Sequence, residues 1–404
     1  MKRHLYAPVE EARQAALEVL LNNANGPFRS LPRAAAWGYP EPYTRDLMIS
    51  ALGILASGNE LLLKKLRRVL ETLARNQSLR GNIPSLAHEP QNLGASDTTP
   101  LFLIALAVYR RFVDEPDFLE EAAQKALTWM DYQSPDDFIM VAQQPTTDWR
   151  DEQWVLGYGL YVNALVYGYL RLFDQDKKAD LLRELMNRLD IHGGMGQGHV
   201  HQGLVVPHKP YYALWAFKVH ASERFDLLGN SLAVLFGIAS PSRSAALISW
   251  VEAESRALRE KGDLALDLPP NLFPYMQRDD PDWRIRYELF GRPGEYHNGG
   301  IWPFICGFYV AAAVAAGRQR IAERNLDALT HAVLPARAHE VAFGFNEWLY
   351  AYDGTPRGED WQTWSAAMYL YAVACVESGK TPFFEEIRRR RWERDEPPDD
   401  QHED

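Results

Sequence analysis

Residues 301–316 read IWPFICGFYVAAAVAA, and residues 318–333 read RQRIAERNLDALTHAV. The first stretch is apolar at every phase of a helical turn, and a helix apolar on all sides is buried on all sides. The second places Ala322, Leu326, Leu329 and Val333 on one stripe and charges elsewhere, which is the pattern of a helix with one face in water. Only Gly317 separates the two. They read as an antiparallel hairpin of one inner and one outer helix. The inner stretch is shorter than the ~20 residues a membrane span needs, and Trp302-Pro303 interrupts its start.

The alternation repeats along the chain. Inner-type and outer-type helices pair as 44–57 with 60–76, 98–112 with 116–131, 158–173 with 176–190, 225–239 with 241–258, and 298–316 with 318–333. A sixth inner helix over 361–377 takes as outer partner either 382–392 or the N-terminal helix 8–22. Thr99-Pro100 and Ser240-Pro241 each place a capping hydroxyl before a first-turn proline. No stretch sustains strand alternation, and no 34- or 40-residue repeat supports an open solenoid. Six inner and six outer helices predict an all-α fold, a single (α/α)6 barrel over residues 1–388. The tail, RRRWERDEPPDDQHED at 389–404, is charge blocks with Pro-Pro and is expected to be disordered.

Composition narrows function. The 404 residues are 47% hydrophobic and 24% charged, an ordinary soluble globular balance. A net charge of −11 argues against nucleic acid as partner, because phosphate contacts need clustered positive charge. Cys306 and Cys375 lie in apolar helical stretches and read as buried thiols, which suits a reducing, cytoplasmic setting. The N-terminus MKRHLYAPVEEARQ lacks the apolar core of a signal peptide. No membrane partner and no cofactor are expected, and a homo-oligomer stays open.

The segments leading into the inner helices concentrate the unusual chemistry: Tyr43, Arg45 and Asp46; Asp97; Asp148, Trp149, Asp151 and Glu152; Asp226 and Asn230; His297, Asn298 and Trp302; Glu347, then Gln362 and Trp364. With inner helices parallel to one another, all six lead-ins meet at one barrel mouth. Carboxylates, amides and indoles together suit a sugar, whose hydroxyls take bidentate hydrogen bonds and whose apolar faces stack on Trp. Cleaving a glycosidic bond needs two carboxyl groups flanking it.

The stretch YHNGGIWP at 296–303, AGRQRIA at 316–322, Asp226 with Leu228-Gly229-Asn230, Glu347 ahead of Tyr352-Asp353-Gly354, and Gln362-Thr363-Trp364-Ser365 resemble the neutral/alkaline invertases. Arg45-Asp46 with Ser50-Ala51-Leu52 resembles them too. Gly81-Asn82-Ile83-Pro84-Ser85 and the Asp97 segment resemble debranching-type α-glucosidases and the processing α-glucosidase/mannosylglycerate hydrolase group. The resemblance implies an (α/α)6 barrel and an inverting hydrolysis. It implies Glu347 as general base and Asp151 as general acid, with Asp148 as the fallback for the acid. It places Arg45, Asp46, His297, Asn298, Trp302 and Gln362 around the sugar. The chain departs from the invertases at Asp97-Thr98-Thr99-Pro100 and at Gly159-Leu160-Tyr161-Val162-Asn163. Sucrose, another α-glucoside and a short α-glucan therefore all stay open as small carbohydrate substrates.

Two other readings are kept. A sugar epimerase on the same barrel would use histidines in place of the carboxylate pair. An inert carbohydrate-binding protein would keep the pocket but turn Glu347 into the wall. His192, His199, His201 and His208 lie in a Gly-rich stretch, but no Cys or helical His spacing accompanies them, so no metal is expected.

Overall fold

The computed structural model describes residues 7–135, 139–187, 203–217 and 220–392. Its helices in chain order are α1 (Ala7–Asn23), α2 (Thr44–Ser57), α3 (Glu60–Asn76), α4 (Thr98–Val113), α5 (Glu120–Asp131), α6 (Leu160–Leu172), α7 (Asp176–Met186), α8 (Leu227–Phe236), α9 (Pro241–Lys261), the short α10 (Tyr287–Phe290), α11 (Pro303–Ala315), α12 (Gln319–Ala332), α13 (Thr363–Ser378) and α14 (Glu385–Trp392). The inner helices close a ring. Helix α2 packs on α4, α4 on α6, α6 on α8, α8 on α11, α11 on α13, and α13 back on α2. That closure makes the molecule an (α/α)6 barrel and not a solenoid, whose ends would not meet.

Each inner helix is buried nearly end to end, from Leu160 to Leu172 in α6 and from Pro303 to Val314 in α11. Each fully buried Leu, Val or Phe contributes roughly 1.5–3 kcal/mol, so the ring is the main source of stability. Two glycines let it close tightly. A Cβ on Gly53 of α2 would lie 1.9 Å from the Ala367 carbonyl oxygen of α13, and one on Gly307 of α11 would lie 2.7 Å from that of Met368.

Outer helices α3, α5, α7 and α12 lie on the inner helices that precede them, and α1 lies on α13. The sixth outer place thus goes to the N-terminal helix, whose Val9, Ala12, Ala16, Val19 and Leu20 form a buried stripe. Helix α9 holds α11 through Tyr309 Oη, which donates to Glu252 at 2.8 Å. Helix α14 instead packs near α8, where Phe384 meets Phe236 at 4.9 Å and Arg388 donates to the Leu235 carbonyl at 3.1 Å. It runs helically through Trp392, past the boundary expected for a disordered tail, with Glu385 and Glu386 in its first turn where the helix dipole favours anions. Residues 393–404 lie outside the described residues.

Short strands occur in the connections between helices. Strands β1 (Tyr158–Gly159), β2 (Ala213–Phe217), β3 (His220–Asp226) and β4 (Leu272–Phe273) form an antiparallel sheet in that order. Strands β5 (Trp348–Leu349) and β6 (Pro356–Arg357) form a hairpin. Four residues of β2 are buried in a row, so it shows no alternation to read. One cap also differs. Ser240 caps α9 by accepting from Arg243 N at 3.2 Å. The Thr99 hydroxyl instead accepts from Ile83 N at 3.1 Å, and Asp97 holds the N-cap position of α4 without capping it.

Replacing Gly53 with Ala is expected to cost about 1–3 kcal/mol, because the ring cannot open locally to admit the methyl group. Thermal unfolding of Gly53→Ala beside Gly58→Asn checks this. Gly58 ends α2 in the left-handed region, which Asn tolerates better than other side chains, with nothing within 4 Å of its Cβ position, so the second variant should cost less than the first.

Candidate active site

The lead-ins meet at one end of the ring, where a ladder of buried charges binds those of α2, α4, α6 and α8. Arg45, beside the start of α2, takes Asp97 through two contacts of 2.6 and 3.1 Å and donates to the Asp148 carbonyl at 2.8 Å. Tyr161 of α6 also donates to Asp97, at 3.3 Å. Arg150, 1% exposed, reaches Asp148 at 3.0 Å and Asp226 at 2.9 Å. Gln143 donates to the same Asp148 carboxylate at 3.0 Å. Asp226 doubles as the cap of α8, accepting from Gly229 N at 3.2 Å.

Several residues expected to touch sugar are consumed by this framework. Asn230 accepts from Tyr212 N and donates to the carbonyls of Tyr212 and Asp226. Asn298 accepts from Met276 N at 2.7 Å and donates to the carbonyls of Met276 and Gly291. Both amides pin lead-in loops and have no donor left for a ligand. Asp97, Asp148 and Asp226 are at most 1% exposed and ion-paired, so they too are framework. That weakens Asp148 as a substitute acid.

Among the lead-in carboxyl groups outside the ladder, Asp46, Asp151 and Glu347 have no arginine or lysine partner among the described residues. Glu347 sits just before β5 and is 6% exposed. Burial pushes its carboxyl up to about 8, with the charges of Asp46, Asp151 and Glu359 adding to the shift. It pairs with no cation among the described residues. Glu359 N donates to its Oε2 at 3.3 Å, and Gly358 is pressed so close that a Cβ there would lie 2.1 Å from that oxygen. Asp46, in the first turn of α2, is pushed by burial up to about 7 against the pull of Arg45. Asp151 lies in the turn before β1 with 60% of its side chain open to solvent. The walls around it raise its carboxyl above the usual range, Arg45 opposes, and Glu152 and Asp148 add as like charges.

Aromatic rings surround these groups. Trp149 meets His297, Trp302 and Phe304 edge-on at 5.0, 5.3 and 5.7 Å. Trp364, in the first turn of α13, stacks on Phe304 at 4.1 Å. Half-buried Tyr43 meets Tyr39 at 6.3 Å. Tyr39 was not expected in the site, yet the charges of Glu347, Asp151 and Asp46 all bear on its phenol, which burial raises first. Its neighbours Trp37 and Tyr43 make 37–43 an aromatic-dense lead-in, the signal by which it could have been found. Tyr296 is held the same way, with Glu347 and Asp151 behind burial as causes.

Buried polar atoms without a protein partner gather here: both ring nitrogens of His297, Gln362 Oε1, and the indole nitrogens of Trp149 and Trp364. Such atoms are rare in protein interiors, and each calls for an explanation. Burial keeps His297 neutral, with Arg150 and Arg45 adding to the effect, and its Nε2 stands 3.9 Å from Asp151 Oδ1. Trp302 Nε1 is taken by the Tyr296 carbonyl at 3.0 Å. Tyr296, Phe345 and Trp361 have φ of +43°, +40° and +55°. Bulky side chains rarely adopt that region, and here they flank His297, Glu347 and Gln362. Of the four histidines singled out in sequence, His192, His199 and His201 lie outside the described residues, and His208 is exposed in a turn. No cluster of three metal-ligating side chains occurs among the described residues.

This geometry can be set beside known proteins. Residues 210–378 match the alkaline and neutral invertase family model. The invertase-like stretch includes His297, Trp302, Glu347, Gln362 and Trp364, and stops short of Asp151 on its N-terminal side. Cytosolic invertase 1 of Oryza sativa subsp. japonica is 28% identical over 162 residues, 38% of this chain and 26% of that protein. Alkaline/neutral invertase CINV1 of Arabidopsis thaliana is 29% identical over 166 residues, 39% of this chain and 27% of that protein. The chain thus aligns with about a quarter of the length of these invertases. A GH63 mannosylglycerate hydrolase from Thermus thermophilus has the same fold with a TM-score of 0.63 at 15% identity, covering 89% of this chain and 99% of that one. A bacterial glucoamylase complexed with acarbose has a TM-score of 0.61 at 16% identity, covering 94% and 57%. No helix among the described residues is long and apolar enough to cross a membrane.

Glu347 gives a stability prediction. Its folded value of about 8 lies above the ordinary 4.5, so between these values the folded protein binds the extra proton. Its contribution to stability is present below about 4.5 and is lost as pH rises through about 8. Glu347→Gln removes that loss. The melting temperature of the variant relative to the parent should rise steadily from about pH 5 to about pH 9, by the equivalent of a few kcal/mol. A gap that does not change with pH would refute it.

Proposed function

We propose that the protein is an inverting glycoside hydrolase acting on an α-glucosidic bond in a small neutral sugar, with Asp151 as general acid and Glu347 as general base. The observation that carries this is the convergence of Asp46, Asp151 and Glu347, three lead-in carboxyl groups with no arginine or lysine partner among the described residues, on one aromatic-lined mouth. The invertase match over the stretch holding Glu347 supports it. The absence of any cation against Glu347 among the described residues runs against an inert sugar-binding role.

Exposure assigns the two parts. An acid must regain its proton from solvent each turnover, and Asp151 is the open one. A base must hold a water against the sugar, and Glu347 is the buried one, fixed by Gly358 and Glu359 N. In the free molecule Glu347 holds its proton up to about 8, whereas turnover needs the anion there and the acid at Asp151. A bound glycoside reverses the order, because hydroxyl and water donors favour the Glu347 anion and a covering aglycone favours protonated Asp151. Because kcat/KM reports the free molecule, its alkaline limb is accordingly expected near 8, where Glu347 gives up its proton, and its acidic limb follows Asp151. His297, Gln362 and the indoles of Trp149 and Trp364 supply the unpaired donors and acceptors for sugar hydroxyls.

The reading is tested with a panel of sucrose, other α-glucosides and short α-glucans, following the first-formed anomer by NMR. The expected product is the β-anomer from an α-linked substrate, as for carboxyl groups roughly 6.5–9.5 Å apart. An α-anomer would refute inversion. Glu347→Gln should abolish turnover and retain sugar binding. Gly358→Ala, which drives a methyl group into Glu347, should lower kcat by about 10² with the fold intact, in line with the cost of a ~1 Å displacement. Unchanged kcat in that variant would remove Glu347 from the reaction.

A further inference from the structure

Beside the mouth lies a second apolar core, separate from the barrel's. Val155, Trp215, Leu272, Met276 and Tyr287 build it, with Trp154 packed against it. Its outer part is the excursion 274–294, between β4 and the lead-in that holds His297. The excursion is fastened to β3 on one side: Arg224 meets Asp280 at 2.6 Å, and Ser222 Oγ donates to Asp282 at 2.7 Å. On the other side it grips the turn that carries Asp151. Trp154 N donates to Tyr287 Oη at 2.8 Å, Gln153 Nε2 lies 3.9 Å from Met276 Sδ, Arg286 pairs with Glu152, and the Arg284 guanidinium stands 5.2 Å over the Trp154 ring.

The consequence is specific to one side chain. Arg150 behind Asp151 is locked to Asp148 and Asp226, and Glu152, Gln153 and Trp154 ahead of it are held by the excursion. Asp151 alone in this turn projects into the mouth, beside His297. We infer that the excursion is a clamp that sets the reach of the Asp151 carboxyl, with Tyr287 as a positioning residue for the acid step. This rests on the hydrolase reading above. In that step Asp151 gives its proton to the glycosidic oxygen, which takes the electron pair of the breaking C1–O bond. Water adds to C1 and yields a proton to Glu347. Holding the carboxyl where the leaving oxygen sits is worth much of the ~10²–10⁴ that a general acid supplies. Tyr287 is 3% exposed, so Phe keeps its packing and removes the acceptor for Trp154 N.

The test compares leaving groups. Tyr287→Phe and Arg286→Gln in the full chain are assayed on the best α-glucoside of the panel and on α-glucosyl fluoride, whose leaving group needs no proton. The expected result is a loss of about tenfold or more in kcat/KM on the glycoside with less than about twofold on the fluoride. Arg286→Gln, which leaves Glu152 unpaired beside Asp151, should also move the acidic limb of kcat/KM to higher pH. Equal losses on both substrates, or none on either, overturn the clamp while leaving the hydrolase reading intact. A parent chain inert toward both substrates overturns the hydrolase reading and the clamp with it. If Tyr287→Phe does not fold, Arg286→Gln decides by the same ratio.

Discussion

Arg150 is buried between Asp148 and Asp226, and much of the mouth depends on its staying there. A guanidinium taken out of water at 1% exposure is tolerable only while both carboxylates face it. Removing one partner from such a pair costs about 3–5 kcal/mol. Arg45 repeats the device between Asp97 and the Asp148 carbonyl. Together they join the lead-ins of α2, α4, α6 and α8 into one rim. Side chains on loops are imprecise unless a rigid support holds them. Here the support is electrostatic, and it lies one residue away from both Asp46 and Asp151.

The ladder also explains the charge of the mouth. Its two cations are outnumbered by three carboxylates, so it does not neutralise the groups beside it. Asp46, Asp151 and Glu347 therefore feel burial and one another, and all three hold protons more tightly than carboxyl groups in water. Under the proposed reading, carboxyl groups held in this way suit the hydroxyls of a neutral sugar. The rings of Trp149, Trp302, Phe304 and Trp364 pack against one another beside these groups.

Much of the fold was legible in the sequence because burial on all sides leaves an unmistakable mark. Stretches such as 101–109 and 301–316 have no polar face to present to water, and alternation with amphipathic partners leaves few architectures open. The sheet of β1 to β4 was not legible, since β2 is buried on both faces and β1 and β4 are two residues each. The outer partner of α13 was ambiguous because two helices of suitable length flank the barrel in sequence, and only packing chooses α1. In the site, Asn230 and Asn298 look like sugar ligands in one dimension. Their saturation by the backbone of distant loops appears only when Tyr212 and Met276 are brought beside them. Tyr287 was missed for the same reason, as it lies outside the lead-in that holds Asp151.

The sequence by itself determined the alternation of buried and amphipathic helices, the crowding of carboxylates and indoles ahead of the inner ones, and hence the barrel and the end of it where the candidate site lies. Those properties are local, because side-chain hydropathy and helical period act within a few turns of chain. Tertiary structure decided which polar groups are framework and which are free. Asp97, Asp148 and Asp226 lose their independence to arginines, while Asp46, Asp151 and Glu347 keep theirs. That division depends on distances between residues far apart in sequence, and a carboxylate's chemistry is set by what faces it once water has been excluded.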